Sequence, residues 1–247
     1  EILRCLVGSE MCIRDRYHKN SYDDIKDKLP PYLRGYFDAA MLAQLNIYGD
    51  NIIDELLTVD ILKQLSEFVD FRQDKRAFSD IRLVFESTFL GFKLANIERV
   101  RTLNLLAKKN KVALYTDEQD TSLINVDFKG TVDYMNDMPK VFNNSSINLN
   151  MTIRNIRTGM PLRVWDILGA GGFLLTNYQI ELTDYFKNEE SIVYYEDMYD
   201  CCKKAEYYLL HEDKRRQIAA KGHELVSKKH SYINRVKYIL DVIGKMS

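Results

Sequence analysis

Residues 147–176 read INLNMTIRNIRTGMPLRVWDILGAGGFLLT. In its first five residues, apolar Ile147, Leu149 and Met151 alternate with Asn148 and Asn150, the two-residue period of a strand. Pro161 to Leu168 reads as a helix with the proline in its first turn, where the N–H it lacks would have no partner anyway. Gly172 to Thr176 is a second short β-type run. Strand, loop, helix, strand is the repeating unit of a parallel sheet, because parallel neighbours need a crossover between them.

The dense glycines Gly169-Ala170-Gly171-Gly172 stand after a helix and before a strand. A phosphate-binding loop has the opposite order, with the glycines leading into a helix N-terminus. The expectation is therefore a left-handed helix cap and a tight turn into the next strand. The better anion site lies upstream, where the strand runs through a loop to Thr158-Gly159-Met160-Pro161 and then Leu162. Free backbone N–H groups at that helix start can hold a diphosphate, and Gly159 permits close backbone approach. Arg154, Arg157 and Arg163 are either guanidinium partners for phosphate or surface charges. Asp166, in the same helix, either pairs with Arg163 three residues earlier or accepts ribose hydroxyls.

The same alternation continues on both sides. Expected strands are Val112–Thr116, Val126–Lys129 and Ser191–Tyr195; expected helices are Ile97–Lys109, Met138–Asn143, Met198–Leu210, Asp213–Lys228 and Tyr232–Gly244. Phe89–Leu94 reads as a strand or a helix end. Gly130 closes the Val126–Lys129 strand, and the backbone from Gly130 to Val132 is positioned to read a base edge. The fold class is α/β, a Rossmann-like parallel sheet over residues 86–247, preceded by a helical segment over 17–85. In that segment Phe37, Met41, Leu45, Ile52, Ile53, Leu56, Leu57, Ile61, Leu62 and Leu65 recur at helical spacing. Gly49-Asp50 and Thr58 are breaks, Thr58 or Asp60 is an N-cap, and Gln73–Ser79 is a linker.

Composition narrows the function. The chain has 247 residues, 46% hydrophobic and 29% charged, with a formal net charge of −1. That balance excludes a disordered chain and argues against a nucleic-acid binder, which would carry a basic stripe. No apolar run reaches the roughly 18 residues of a membrane helix. The four cysteines, Cys5, Cys12, Cys201 and Cys202, fit no zinc spacing and imply a reduced, cytoplasmic setting. No Asp-x-Asp motif occurs, so no carboxylate-held metal and no cofactor is expected. His211, His223 and His230 read as surface or helix-end residues, and no catalytic base is assigned. Residues Glu1–Arg16 look like translated adapter sequence; they are set outside the fold, and the chain is expected to start in the middle of a longer protein.

Four stretches carry a resemblance to a family. Val126-Asp127-Phe128-Lys129-Gly130-Thr131-Val132-Asp133-Tyr134, then Met138-Pro139-Lys140-Val141-Phe142, then Ile147-Asn148-Leu149-Asn150 and, most specifically, Gly159 through Tyr178 resemble the C-terminal half of group 1 glycosyltransferases. The likeness is greatest to the CgeB-like, spore-maturation-type branch, whose ending His230-Ser231-Tyr232 with Arg235 resembles too. The resemblance implies a GT-B architecture in which this half holds a nucleoside diphosphate sugar for metal-independent transfer to a sugar, protein or cell-envelope acceptor. It implies donor-binding residues Gly130, Val132, Arg157, Thr158, Gly159, Met160, Pro161, Leu162, Arg163 and Asp166. Many members carry two glutamates around the donor; here the second falls on Asp166 and the first on Thr158, which is not acidic. That departure keeps open a non-catalytic nucleotide-sugar-binding module. An epimerase on the same fold and a ligand-free interaction domain are further rivals. The chain alone is not expected to transfer sugar, since the acceptor half would be missing.

Overall fold

A computed structural model describes residues 5–8, 21–70, 80–116, 119–156 and 158–246, with backbone alone for 5–8 and 246. The strands among them are β1 (Cys5–Gly8), β2 (Lys111–Leu114), β3 (Val126–Phe128), β4 (Ile147–Asn150), β5 (Leu174–Asn177) and β6 (Val193–Tyr195). They form one parallel sheet in the order β3-β2-β1-β4-β5-β6. The strand order reverses between β1 and β4, and ligands of such sheets bind at the carboxyl ends beside that point. The α/β parallel sheet read from the sequence is present. The sequence reading left residues 1–16 outside the fold, yet the backbone of Cys5–Gly8 pairs with both β2 and β4 and joins the two halves of the sheet.

Between β1 and β2 lies the helical unit: α1 (Ser21–Ile25), α2 (Pro31–Gln44), α3 (Ile53–Leu56), α4 (Val59–Ser66), α5 (Ile81–Val84), a π-helical stretch Phe85–Gly91, and α6 (Phe92–Ala107). Thr58 caps α4 by accepting the Ile61 N–H, as its place before the apolar run predicts. Leu33, Phe37, Met41, Leu45, Leu57, Leu65, Phe85, Leu90 and Leu94 form the core of this unit. Phe89–Leu94 is helical, so of the two readings offered the strand is excluded. The proposed linker Gln73–Ser79 lies outside the described residues.

The remaining helices are α7 (Met138–Asn144), α8 (Leu162–Gly169), α9 (Leu182–Tyr185), α10 (Met198–Leu210), α11 (Glu212–Lys229) and α12 (Tyr232–Met246). Leu103 and Leu106 of α6 and Cys201, Ala205 and Tyr208 of α10 cover one sheet face, packing on Ile147, Leu149 and Leu175. Phe142 of α7 and Val164, Ile167 and Leu168 of α8 cover the other. Both faces are therefore buried, and every residue of β4 and β5 is inside. That changes the meaning of the asparagines in β4. Asn148 donates from Nδ2 to the carbonyls of Phe142 and Phe173, and Asn150 donates to the hydroxyls of Thr152 and Thr176 at 3.0 and 2.9 Å. The alternation Ile-Asn-Leu-Asn is a strand whose amide N–H groups are bonded internally rather than facing water.

The Gly169–Gly172 run ends α8 as expected. Gly171 has φ +77°, its N–H bonds the Leu168 carbonyl, and the Gly172 N–H bonds the Ile167 carbonyl, a complete Schellman cap. Gly172 also sits against the start of β4: a Cβ there would lie 2.6 Å from Asn148 Nδ2 and 2.7 Å from the Phe142 carbonyl oxygen. The substitution Gly172→Ala is accordingly expected to cost about 1–3 kcal/mol by overpacking, read as a lower urea midpoint at unchanged slope.

Candidate functional site

Two loops leave the carboxyl ends of β4 and β5 together. Asn177 holds them in place: its Oδ1 accepts the Thr152 N–H and its Nδ2 donates to the Thr152 carbonyl, both at 2.8 Å. One amide thus replaces the ladder where the strands stop.

Arg154 follows at once and turns inward. Its Nη2 is 2.7 Å from Glu98 Oε1, with both side chains almost wholly buried, and its guanidinium lies 3.4 Å above the Tyr48 ring. The Tyr48 hydroxyl donates to the same carboxylate oxygen at 2.9 Å. Burial pushes the Glu98 carboxyl above its ordinary range, against the pull of Arg154. Reading Arg154 as a phosphate ligand is thereby corrected: its charge is spent on Glu98, from α6.

Beyond it the chain returns toward α8. Arg157 lies outside the described residues. Thr158 and Gly159 are exposed and Met160 half-buried. Gly159 has φ +92°, a left-handed conformation that explains the glycine, and its N–H donates to the carboxylate of Glu181, just past β5. The helix starts one residue later than expected, at Leu162, with Pro161 as its N-cap. Leu162 points to solvent, whereas Arg163 is buried. Arg163 neighbours Arg99 of α6, whose guanidinium is brought down to about 9 by burial and by the charge of Arg163. Two guanidiniums thus lie near each other at the first turn of α8.

Asp166 does not stand alone. The Tyr134 hydroxyl donates to its Oδ2 at 2.6 Å, linking α8 to the loop after β3. Burial first, then this bond to Asp166, pushes the Tyr134 phenol up to about 12. Gly130 in the same loop has φ +70° with open space beside it, and half-buried Val132 packs against the core cluster that contains Val164 of α8. Of the sequence-predicted set, Thr158, Gly159, Met160 and Pro161 lie on the loop into α8, Leu162, Arg163 and Asp166 lie on α8, and Val132 packs with Met160 against the core beneath it. Sequence reasoning missed Tyr134 and Glu181 as site residues, and Arg99. Only Tyr134 lay in a stretch singled out beforehand.

The histidines serve structure. His211 stacks on Tyr207 between α10 and α11, and His223 Nδ1 bonds the Leu168 carbonyl of α8 at 3.0 Å. His230 packs on Trp165 and Tyr185, with ring centroids 5.0 and 5.4 Å away, and Arg235 lies 5.3 Å above the Trp165 ring. Cys201 is buried and Cys202 half-buried, both as free thiols. Among the described residues no three His, Cys, Asp or Glu side chains are grouped to hold a metal. None of their helices is long and apolar enough to cross a membrane.

Residues 96–241, more than half of the chain, match the family described as glycosyl transferase-like, and the chain belongs to that family. Solved structures are similar over part of their length. TarM of S. aureus matches at 14% identity and a TM-score of 0.46, over 58% of this chain and 31% of its own. HepE of Anabaena in complex with UDP-glucose matches at 11% and 0.49, over 59% and 44%. The C-terminal domain of LpcC, a group 1 family glycosyl transferase of Francisella tularensis, matches at 13% and 0.45, over 56% and 80%. The chain thus spans about a third of the length of TarM. No curated protein matches it.

Two measurements check the electrostatics of this region. Arg154→Met leaves Glu98 buried without its cation and is expected to cost about 3–5 kcal/mol, with part regained in the double replacement Glu98→Gln/Arg154→Met; equal stability of wild type and single variant would contradict the buried pair. His230 has its pKa held below 6.5, chiefly by burial and then by Arg235. The unfolded chain therefore binds the proton first, so stability falls as pH drops from about 6.5 through the folded value. Unfolding followed by fluorescence of Trp165, the sole tryptophan, is expected to show this loss in wild type and its reduction in His230→Gln.

Proposed function

We propose that this chain is the donor-binding half of a metal-independent GT-B glycosyltransferase, which binds a nucleoside diphosphate sugar and transfers the sugar to a sugar, protein or cell-envelope acceptor. The observation that carries the reading is the pairing of an anion site with a carboxylate at the carboxyl ends of parallel strands. The first turn of α8, the Thr158–Met160 loop and the field of Arg163 suit a diphosphate. Asp166 is four residues into that helix, and the second oxygen of its carboxylate suits a ribose hydroxyl beside the bond from Tyr134. The Gly130–Val132 backbone suits the base. As the anomeric C–O bond breaks, charge builds on the diphosphate, and the N–H groups at the start of α8 stabilise the leaving group.

Membership of the glycosyl transferase-like family supports the reaction class. The Gly159–Tyr178 segment supports the CgeB-like branch, and the free thiols of Cys201 and Cys202 support a cytoplasmic setting. No resident cofactor is proposed. One observation favours a second reading, a nucleotide-sugar-binding module without catalysis: Thr158, exposed before α8, is not an acid. A donor panel assayed with the longest available form of the protein separates the two, since turnover excludes the second.

The donor assignment is tested by calorimetric titration with UDP. Wild type is expected to bind, and Asp166→Ala to bind at least about tenfold more weakly, some 1.4 kcal/mol, with an unchanged circular dichroism spectrum. Equal affinity in the two proteins would overturn the ribose role of Asp166.

A further inference from the structure

Glu181 stands where it could cap its own helix and does not. It is the N-cap of α9, a position from which a side-chain oxygen can accept the first free N–H groups of the helix. No such bond forms; the N–H groups of Leu182, Thr183 and Asp184 bond the carbonyls of Gln179, Ile180 and Glu181 instead. The carboxylate reaches across to the loop after β4 and accepts the N–H of Gly159. Among the described residues no cation pairs with it, and its second oxygen accepts no hydrogen bond. A half-buried carboxylate held by one N–H, with no counter-charge, is poorly compensated for the water it has lost. The contact is therefore neither a helix cap nor an ion pair.

The partner is as telling as the carboxylate. A Cβ built on Gly159 would meet nothing within 4 Å, so open space lies beside that backbone. Its φ of +92° demands glycine through conformation and not through crowding. Thr158 is exposed, and Ile180 and Leu162 on either side are 60% and 68% exposed, so a solute reaches the contact from water. The acceptor that this N–H holds is an anion, and the neighbours of Gly159 on its loop are the residues assigned to the diphosphate. A carboxylate oxygen and a phosphate oxygen make the same demand of an N–H. One N–H serves one of them at a time.

We propose that Glu181 is a built-in competitor of the diphosphate: its carboxylate holds the Gly159 N–H until an entering anion displaces it. Displacement breaks no ion pair among the described residues, so the contact yields to a stronger acceptor. While it lasts it lowers affinity, because a site open for about a tenth of the time shows about a tenth of its intrinsic affinity. This deepens the donor reading by giving its anion site a regulation, and it rests on that reading for the identity of the anion.

The test titrates the full chain with inorganic pyrophosphate, UDP and uridine by calorimetry, in wild type, Glu181→Gln, Glu181→Ala and Asp184→Asn. Glu181→Gln keeps the shape and removes the charge, and Glu181→Ala removes the contact. Asp184→Asn removes an exposed charge from the same helix at a residue that does not bond Gly159. Both Glu181 variants, with unchanged circular dichroism spectra, are expected to bind pyrophosphate and UDP about fivefold or more tighter than wild type, a gain that misfolding cannot produce. Uridine affinity in every protein, and anion affinity in Asp184→Asn, are expected to stay within about twofold of wild type. Equal or weaker anion binding in the Glu181 variants overturns the proposal, as does a gain that Asp184→Asn matches or that extends to uridine. The donor reading fails by a different result: a gain for pyrophosphate, with UDP bound no tighter than pyrophosphate, upholds the competitor and overturns the nucleotide. Absence of anion binding in all four proteins overturns both.

Discussion

Arg154, Glu98 and Tyr48 form the knot on which the site depends. The three come from the loop after β4, from α6 and from the loop after α2. Taking two charges out of water costs several kcal/mol each, and the pair holds only because geometry repays that cost: a 2.7 Å ion contact, a phenol on the same oxygen and an aromatic ring beneath the guanidinium. Such an arrangement is intolerant of displacement. It fixes the loop that must travel from β4 to the start of α8, and it fixes the helical unit against the sheet. A hydrophobic contact could supply similar adhesion, but not one register of three segments.

The strand ends apply the same principle with neutral groups. β4 and β5 are covered on both faces, so the sheet cannot use an outer polar face to orient its loops. Asn148, Asn150, Thr176 and Asn177 do this from inside, each bonded to a neighbouring strand, loop or helix end. Buried amides are costly when unpaired and specific when paired. The Thr152 backbone, held by Asn177 at both its N–H and its carbonyl, carries that specificity into the loop that positions Arg154.

Much of the fold was legible in the sequence because its signals are local. Alternation in Ile147–Met151, the glycine cap after α8, the order of strands and helices and the Thr58 cap each depend on residues close in the chain. The proposed site at the front of α8 and Asp166 follows from that order. Contacts between distant segments do not. No spacing relates Glu98 to Arg154, so that arginine read as either a phosphate partner or a surface charge when it is one half of a buried ion pair. Tyr134 and Asp166 are likewise joined only by the packing of the β3 loop on α8. Gly49 and Asp50 read as a break between helices; the contact of Gly49 with the Tyr178 ring is a property of the folded chain. The backbone role of Cys5–Gly8 was missed for another reason: the likeness of residues 1–16 to translated adapter sequence set that segment aside before its pairing could be considered.

Charge accounting in front of α8 gives the site its last constraint. The N–H groups at the start of α8 favour negative charge, and in this structure a carboxylate stands before them: Glu181 accepts the N–H of Gly159. A single N–H aimed at one position serves one strong acceptor there. An anion that takes this N–H and the present position of Glu181 therefore exclude each other. Glu181 opens α9 on the short loop from β5, so an anion entering in front of α8 meets a position that the chain's own carboxylate holds.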